Sequence, residues 1–169
     1  SDYPMQGFRF FFPRLKTPYR VINNGFDPEF FISDPGLKKE DSFIAVAPVN
    51  NLMRVRVKGV DTVIMLARKF GTCSFAIVGL SDDVAAKLEP LPANLKIHRF
   101  MPQEQFMALL AESRYVLQLS VSEGFPNALC EAMLCHCIPV GSAVGPVPSI
   151  IGDAGYVMDS PDPEYLTSR

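Results

Sequence analysis

Long apolar runs are missing from this sequence of 169 residues. Nothing approaches the roughly 20 residues that a membrane-spanning helix needs. No basic-then-apolar stretch marks a secretory signal. A basic excess is missing too. The formal net charge is −2, which argues against general nucleic-acid binding, because phosphates demand a positive surface. Any anionic ligand must be held by local groups, not by the overall field. The four cysteines, Cys73, Cys130, Cys135 and Cys137, form no Cys-x-x-Cys pair. Cys135-His136-Cys137 has no evident fourth metal ligand, and the other histidine, His98, lies far away in sequence. No metal is expected, since zinc usually takes spaced pairs. Free thiols packing as small hydrophobes fit a reducing compartment. No Gly-x-Gly-x-x-Gly follows the first apolar run. Ala47-Pro48-Val49-Asn50-Asn51 stands there instead, which argues against a dehydrogenase. Internal repeats and low-complexity tracts are also missing.

What is present is a globular composition. The hydrophobic fraction is 48% and the charged fraction 20%, enough for one well-buried domain and too apolar for disorder. Residues 1–20 are irregular, aromatic and basic, punctuated by Pro4, Pro13 and Pro18. They read as a linker or the edge of a missing N-terminal domain. Phe8-Arg9-Phe10-Phe11-Phe12 is too short to span a bilayer and is expected to pack on this domain or a neighbouring one. Arg20-Val21-Ile22 reads as a short strand, Asn23-Asn24-Gly25 as a turn and Asp27-Pro28-Glu29 as a helical turn. Pro35-Gly36 and Lys38-Lys39-Glu40-Asp41 mark a loop.

From Ser42 onward, strands and helices alternate. Apolar runs of strand length stand at 43–47, 74–79, 95–100, 115–119, 138–140 and 156–158. Val60, Val63, Ile64 and Ala67 recur at helical spacing, and Gly71 ends that helix. Asp82 or Asp83 caps a short helix. A helix from about Pro102 to Arg114 buries Phe106, Leu109 and Leu110. Another opens at Pro126. After a loop from Gly141 to Gly145, Pro146 opens one more, and Ser160-Pro161-Asp162-Pro163 caps a last. This alternation implies an α/β fold: a Rossmann-like, doubly wound parallel sheet over residues 21–169. Ligands bind such sheets beyond the carboxyl ends of the strands.

The most informative stretch is Ser120 to Met133. A buried strand runs into a turn holding Glu123 and Gly124. A helix then opens at Pro126 and carries Glu131. Helix N-termini hold phosphate, because their first N–H groups have no partner within the helix. Ala128, Leu129, Ala132 and Met133 form an apolar face, which leaves Glu131 and Asn127 free toward solvent or a cleft. Alone, Glu131 reads as a solvated glutamate, Glu123 as a carboxylate capping the helix dipole, and Lys58 as a surface lysine. A lysine at a helix start is unfavourable, a small argument for an anionic ligand. Gly124 lets a ligand approach the backbone closely.

Glu123 through Glu131 resembles the Glu-x7-Glu motif of the retaining glycosyltransferases of group 1, which have the GT-B architecture. The resemblance runs from about Val21 to the end. Asn24-Gly25-Phe26-Asp27 is similar to the family's Asn-Gly-Val-Asp, Lys58-Gly59-Val60-Asp61 to its Lys-Gly-x-Asp, and Gly145-Pro146-Val147-Pro148 to its Gly-Gly-x-Pro. The resemblance implies one half of a GT-B fold and a nucleotide-diphosphate sugar as donor, with no cofactor. Glu123 would be the catalytic residue facing the donor sugar. Lys58, helped by Arg54, would meet the diphosphate. Glu131 would bind the ribose hydroxyls, Met101 with the peptide around Phe100 the base, and Gly124, Phe125, Pro126 and Asn127 the sugar and phosphate.

Departures from the family pattern leave alternatives open. Met53 stands where the family usually has arginine, so Arg54, Arg56 or Arg99 is the substitute. Leu119-Ser120 replaces Pro-Ser, Gly79-Leu80-Ser81 keeps one glycine of a richer turn, and Ser149 replaces a glutamate. The chain matches one domain where the family has two. It is therefore expected to be the donor-binding half, cut from a longer protein or partnered. The acceptor, a glycan, lipid or protein, would be met by the missing domain. The expected location is cytoplasmic, with peripheral association at the inner face of a membrane left open. Two other readings stand beside this one: a non-catalytic module binding a nucleotide-sugar or a protein, and a nucleotide-sugar epimerase of the same architecture.

Overall fold

A computed structural model describes residues 8–14, 16–18, 20, 22, 24–31 and 41–159. At its centre six parallel strands lie in the order β3-β2-β1-β4-β5-β6. They are β1 Ser42–Val49, β2 Ser74–Leu80, β3 Leu95–His98, β4 Tyr115–Gln118, β5 Ile138–Ser142 and β6 Tyr156–Met158. The connecting helices are α1 Leu52–Val57, α2 Val60–Lys69, α3 Asp82–Lys87, α4 Gln103–Glu112, α5 Asn127–Leu134 and α6 Val147–Ile151. This is the doubly wound α/β sheet that the alternation predicts.

The two-residue period of a strand divides the core. Ala45, Ala47, Val49, Leu117 and Leu119 pack with Val55 of α1, Val60, Val63 and Ala67 of α2 and Val84 of α3. Ile44 and Val116 turn the other way, onto Phe106 and Leu110 of α4, Leu129 and Ala132 of α5, and Val147 and Ile151 of α6. Ile44, Ile77, Leu110 and Leu129 are fully buried, and each such side chain contributes about 2 kcal/mol relative to leaving it in water. Phe43 pairs with Phe75 on one side and Tyr115 on the other. The three rings stack at 4.9 and 4.7 Å between centroids. This ladder fixes the strand register at the amino ends and so fixes which residues emerge at the carboxyl ends.

Several boundaries differ from expectation. β1 runs on through Pro48 to Val49, into the stretch expected to be loop. α1 was not anticipated. β3 ends at His98, not Phe100. Ser81, not an aspartate, is the N-cap of α3, with Asp82 and Asp83 in its first turn. Gly141 belongs to β5 and not to the following loop, because it pairs with Gln118 of β4 and Val157 of β6; a side chain there would press on Val147 and Ile151 of α6. The helical turn near Asp27 is a 3-10 turn over Pro28–Phe31. Arg20 and Ile22 lie in no strand. Val21 and Asn23 of the expected strand and turn, the loop at Pro35-Gly36 and Lys38-Lys39-Glu40, and the cap at Ser160-Pro161-Asp162-Pro163 lie outside the described residues. Among the described residues, no helix is long and apolar enough to cross a membrane.

Candidate functional site

β1 and β4 are neighbours from which the chain winds away in opposite directions, so a crevice opens beyond their carboxyl ends. Two segments enter it. The first is the junction of α1 and α2. Asn51 caps α1, its side-chain oxygen accepting from the Arg54 amide at 3.2 Å. The Lys58 amide closes the helix by donating to the Arg54 carbonyl at 2.9 Å. Gly59 then takes a left-handed φ of 67° and starts α2. A Cβ on Gly59 would collide with the backbone carbonyl of Leu119. Only glycine lets the junction lie this close to the exit of β4. The Val121 amide donates to the Val57 carbonyl at 3.0 Å and ties the same two segments. Lys58 is thus the C-cap of α1, where a cation is favoured. It also directly precedes Gly59, the N-cap of α2, so the expected helix start is there, but the favourable end of α1 offsets the misfit and the argument for an anion drawn from it lapses.

The second segment is the exit of β4, which carries Gln118, Ser120 and Glu123. Lys58 Nζ contacts Glu123 Oε1 at 2.5 Å, the two side chains being 16% and 8% exposed. Ser120 Oγ donates to the same oxygen at 2.8 Å. Gln118 Nε2 donates to it at 3.0 Å and to Ser120 Oγ at 2.9 Å. Gln118 and Ser120 are buried. A carboxylate only accepts hydrogen bonds, so the amide nitrogen of Gln118 must face it. Two of the expected site residues, Lys58 and Glu123, therefore meet directly. Gln118 was not anticipated. Its signal was an amide at the end of an otherwise apolar run, since a buried amide is costly unless bonded.

Glu131 lies apart from this pair. It lines a cleft of about 230 Å³ with Val46, Val78, Gly79, Phe100, Met101 and Phe106. Glu131 and Met101 thus line one cleft, and Phe100, which also lines it, is 88% exposed. Burial pushes the Glu131 carboxyl above the ordinary carboxylate range. Burial, and secondly the Glu131 charge, push the neighbouring Cys130 thiol up, which keeps it a poor nucleophile. Pro48, Gly79 and Phe100 also border a second cleft of about 520 Å³, lined by Arg54 and Arg99. Arg99 is engaged there with Asp82 at 2.5 Å. Met53 is 86% exposed on α1. Of the three candidate arginines, Arg56 does not line this cleft.

Pro126 is the N-cap of α5 and is buried, Phe125 is half-buried, and Gly124 and Asn127 are exposed. A side chain on Gly124 would meet nothing within 4 Å, so this loop is open to approach from outside. The Asn127 side-chain oxygen accepts from Asn24 Nδ2 at 2.7 Å, and Phe26 and Phe31 pack into the core beside α5. The Asn24–Asp27 segment is thereby fastened to the start of the helix. Among the described residues, no group of three or more His, Cys, Asp or Glu side chains could hold a metal ion. The Cys137 thiol instead faces the Leu110 and Ser113 carbonyls at 3.3 and 3.4 Å.

This doubly wound sheet has solved counterparts. HepE of Anabaena, in a complex with UDP, is similar over 87% of this chain and 45% of its own, with a TM-score of 0.71 and 21% identity. The C-terminal domain of a group 1 family glycosyl transferase, LpcC of Francisella tularensis, is similar over 84% of each chain, with a TM-score of 0.64 and 17% identity. The fold is the Rossmann-like architecture of GT-B glycosyltransferase domains. The family described as "Glycosyl transferases group 1" matches residues 33–169, and the chain belongs to it. The O-antigen chain mannosyltransferase B of Escherichia coli is 35% identical over 70 residues, covering 41% of this chain and 18% of that protein. The chain therefore matches less than a fifth of that relative's length.

Proposed function

We propose that this chain binds the donor of a retaining glycosyltransferase, which moves a sugar from a nucleotide-diphosphate sugar to a glycan, lipid or protein acceptor held by a further domain. One observation carries the reading. At the switch point of the sheet, Lys58 and Glu123 are in contact, while Glu131 and Met101 line one cleft at the same ends of the strands. Family membership supports it. In this reading the base lies by Met101 and Phe100, and the ribose hydroxyls donate to Glu131. A carboxylate takes two such donors at once and holds them strongly. The diphosphate lies toward Lys58 and the start of α5, with Arg54 at its flank. Charge grows on the leaving diphosphate as the glycosidic bond breaks. The Lys58 cation and helix amides stabilise that charge without needing a metal or other cofactor. Gly124, Phe125, Pro126 and Asn127 border the sugar, and Glu123 is the catalytic residue facing it. In this reading residues 1–20 are a linker to the further domain or an edge of it.

The test is calorimetric titration of UDP-, GDP- and ADP-sugars into the chain and into Glu131→Ala. Binding of at least one donor, weakened by the substitution, is the expected result. No binding, or binding indifferent to Glu131, refutes the assignment. An epimerised product formed without acceptor would point to the epimerase reading instead.

A further inference from the structure

We infer that Gln118 and Ser120 are positioning residues that hold Glu123 Oε1 when Lys58 turns toward a bound diphosphate. The inference rests on the proposed meeting of Lys58 with the donor's phosphates. Three donors converge on one carboxylate oxygen: Lys58 Nζ, Ser120 Oγ and Gln118 Nε2. No described residue donates to Oε2, which is left to a ligand hydroxyl. Of the three donors only Lys58 has a long flexible stem and a charge that an anion can draw away. Gln118 and Ser120 are 6% and 1% exposed, on β4 and its exit, and have nowhere to go.

Drawing Lys58 off Glu123 removes the countercharge from a side chain only 8% exposed, and an unpaired buried carboxylate is costly. The two neutral donors lower that cost by staying on Oε1. Their bonds to the carboxylate strengthen once the ammonium no longer competes for it. They therefore favour the ligand-bound arrangement more than the free one, and the carboxylate keeps its orientation during the exchange.

The experiment is a double-mutant cycle. UDP, GDP, ADP and inorganic pyrophosphate are titrated calorimetrically into the full chain as wild type, Gln118→Leu, Lys58→Met and the double variant. Ser120→Ala is run as a second probe that removes a single hydroxyl. The nucleoside diphosphate that binds wild type should bind Gln118→Leu about three- to fivefold more weakly, less than the roughly tenfold of a whole bond to a charged group, because the bond is present in both states and only its strengthening counts. In the Lys58→Met background the same change should alter affinity by less than about twofold, because the exchange no longer occurs. Ser120→Ala should follow the same pattern. If Gln118→Leu does not fold, the Ser120→Ala cycle decides. Equal loss in both backgrounds would mean a merely structural role and would overturn the inference, as would unchanged binding. If wild type binds none of the probes, the reading of Lys58 falls and this inference falls with it. That outcome differs from binding by wild type that Gln118→Leu matches.

Discussion

Two glycines border the site, and exchanging each for alanine should have opposite consequences. Gly59 has a φ of 67°, and a Cβ there would lie 2.7 Å from the Leu119 carbonyl carbon and 2.8 Å from its Cβ. A non-glycine residue in the left-handed region costs about 1–2 kcal/mol. Relieving the overlap requires either the α1–α2 junction or the exit of β4 to move, at about 1–3 kcal/mol for strain of this kind. Together that is about 2–5 kcal/mol, which for a chain of this size lowers the melting temperature by roughly 5–20 °C. The same displacement separates Lys58 from Glu123, so nucleotide affinity should fall as well. Gly124 is exposed. A Cβ added to it would meet no atom within 4 Å, and its backbone is not in the left-handed region. Gly124→Ala should stay within about 0.5 kcal/mol of wild type. Circular-dichroism melts of the two variants, side by side, give the comparison. Equal melting temperatures would refute the close approach of the junction to β4 and the geometry of the site built on it.

Lys58→Met leaves Glu123 without its cation and should destabilise the chain by about 1–3 kcal/mol. Adding Glu123→Gln should restore most of that loss in urea unfolding, and additive losses would contradict the direct pair. Glu131 gives a pH signature. Its folded pKa lies above its unfolded one through burial, so its contribution to stability is complete below the unfolded value, about 4.3, and is lost as pH rises through the folded value. Wild type should therefore lose stability relative to Glu131→Gln as pH rises through that window. Parallel pH curves in urea melts would contradict it. Hydroxyl donors prefer the ionised carboxylate, so donor affinity should weaken as pH falls through the same raised value, which calorimetry at several pH values checks.

The sheet was legible because its inner strands are largely buried on both faces and so read as near-continuous apolar runs, and because α2 carries four apolar residues at helical spacing. α1 was not legible. Met53-Arg54-Val55-Arg56-Val57 alternates apolar and polar residues like a half-exposed strand, and Val55 alone of the helix is buried. The asparagine cap before it was the available signal. The extension of β5 through Gly141 rests on its pairing with Gln118 and Val157 in the neighbouring strands, which no local pattern encodes. At the candidate site, spacing and resemblance single out Lys58, Glu123 and Glu131. Their partnership was not. The contact of Lys58 with Glu123 joins residues 65 apart in sequence, and it depends on Gly59 lying against Leu119. Gln118 went unnoticed because one polar residue in an apolar run resembles noise until its burial and its hydrogen bonds are known.

The central claim is that this crevice holds a nucleotide-diphosphate sugar, with Glu131 on the ribose. Calorimetric titration of UDP-, GDP- and ADP-sugars into wild type and Glu131→Ala tests it most directly. The expected result is saturable binding of at least one donor, weakened about tenfold or more by Glu131→Ala. Absence of binding by all three, or equal affinity in the variant, would contradict it.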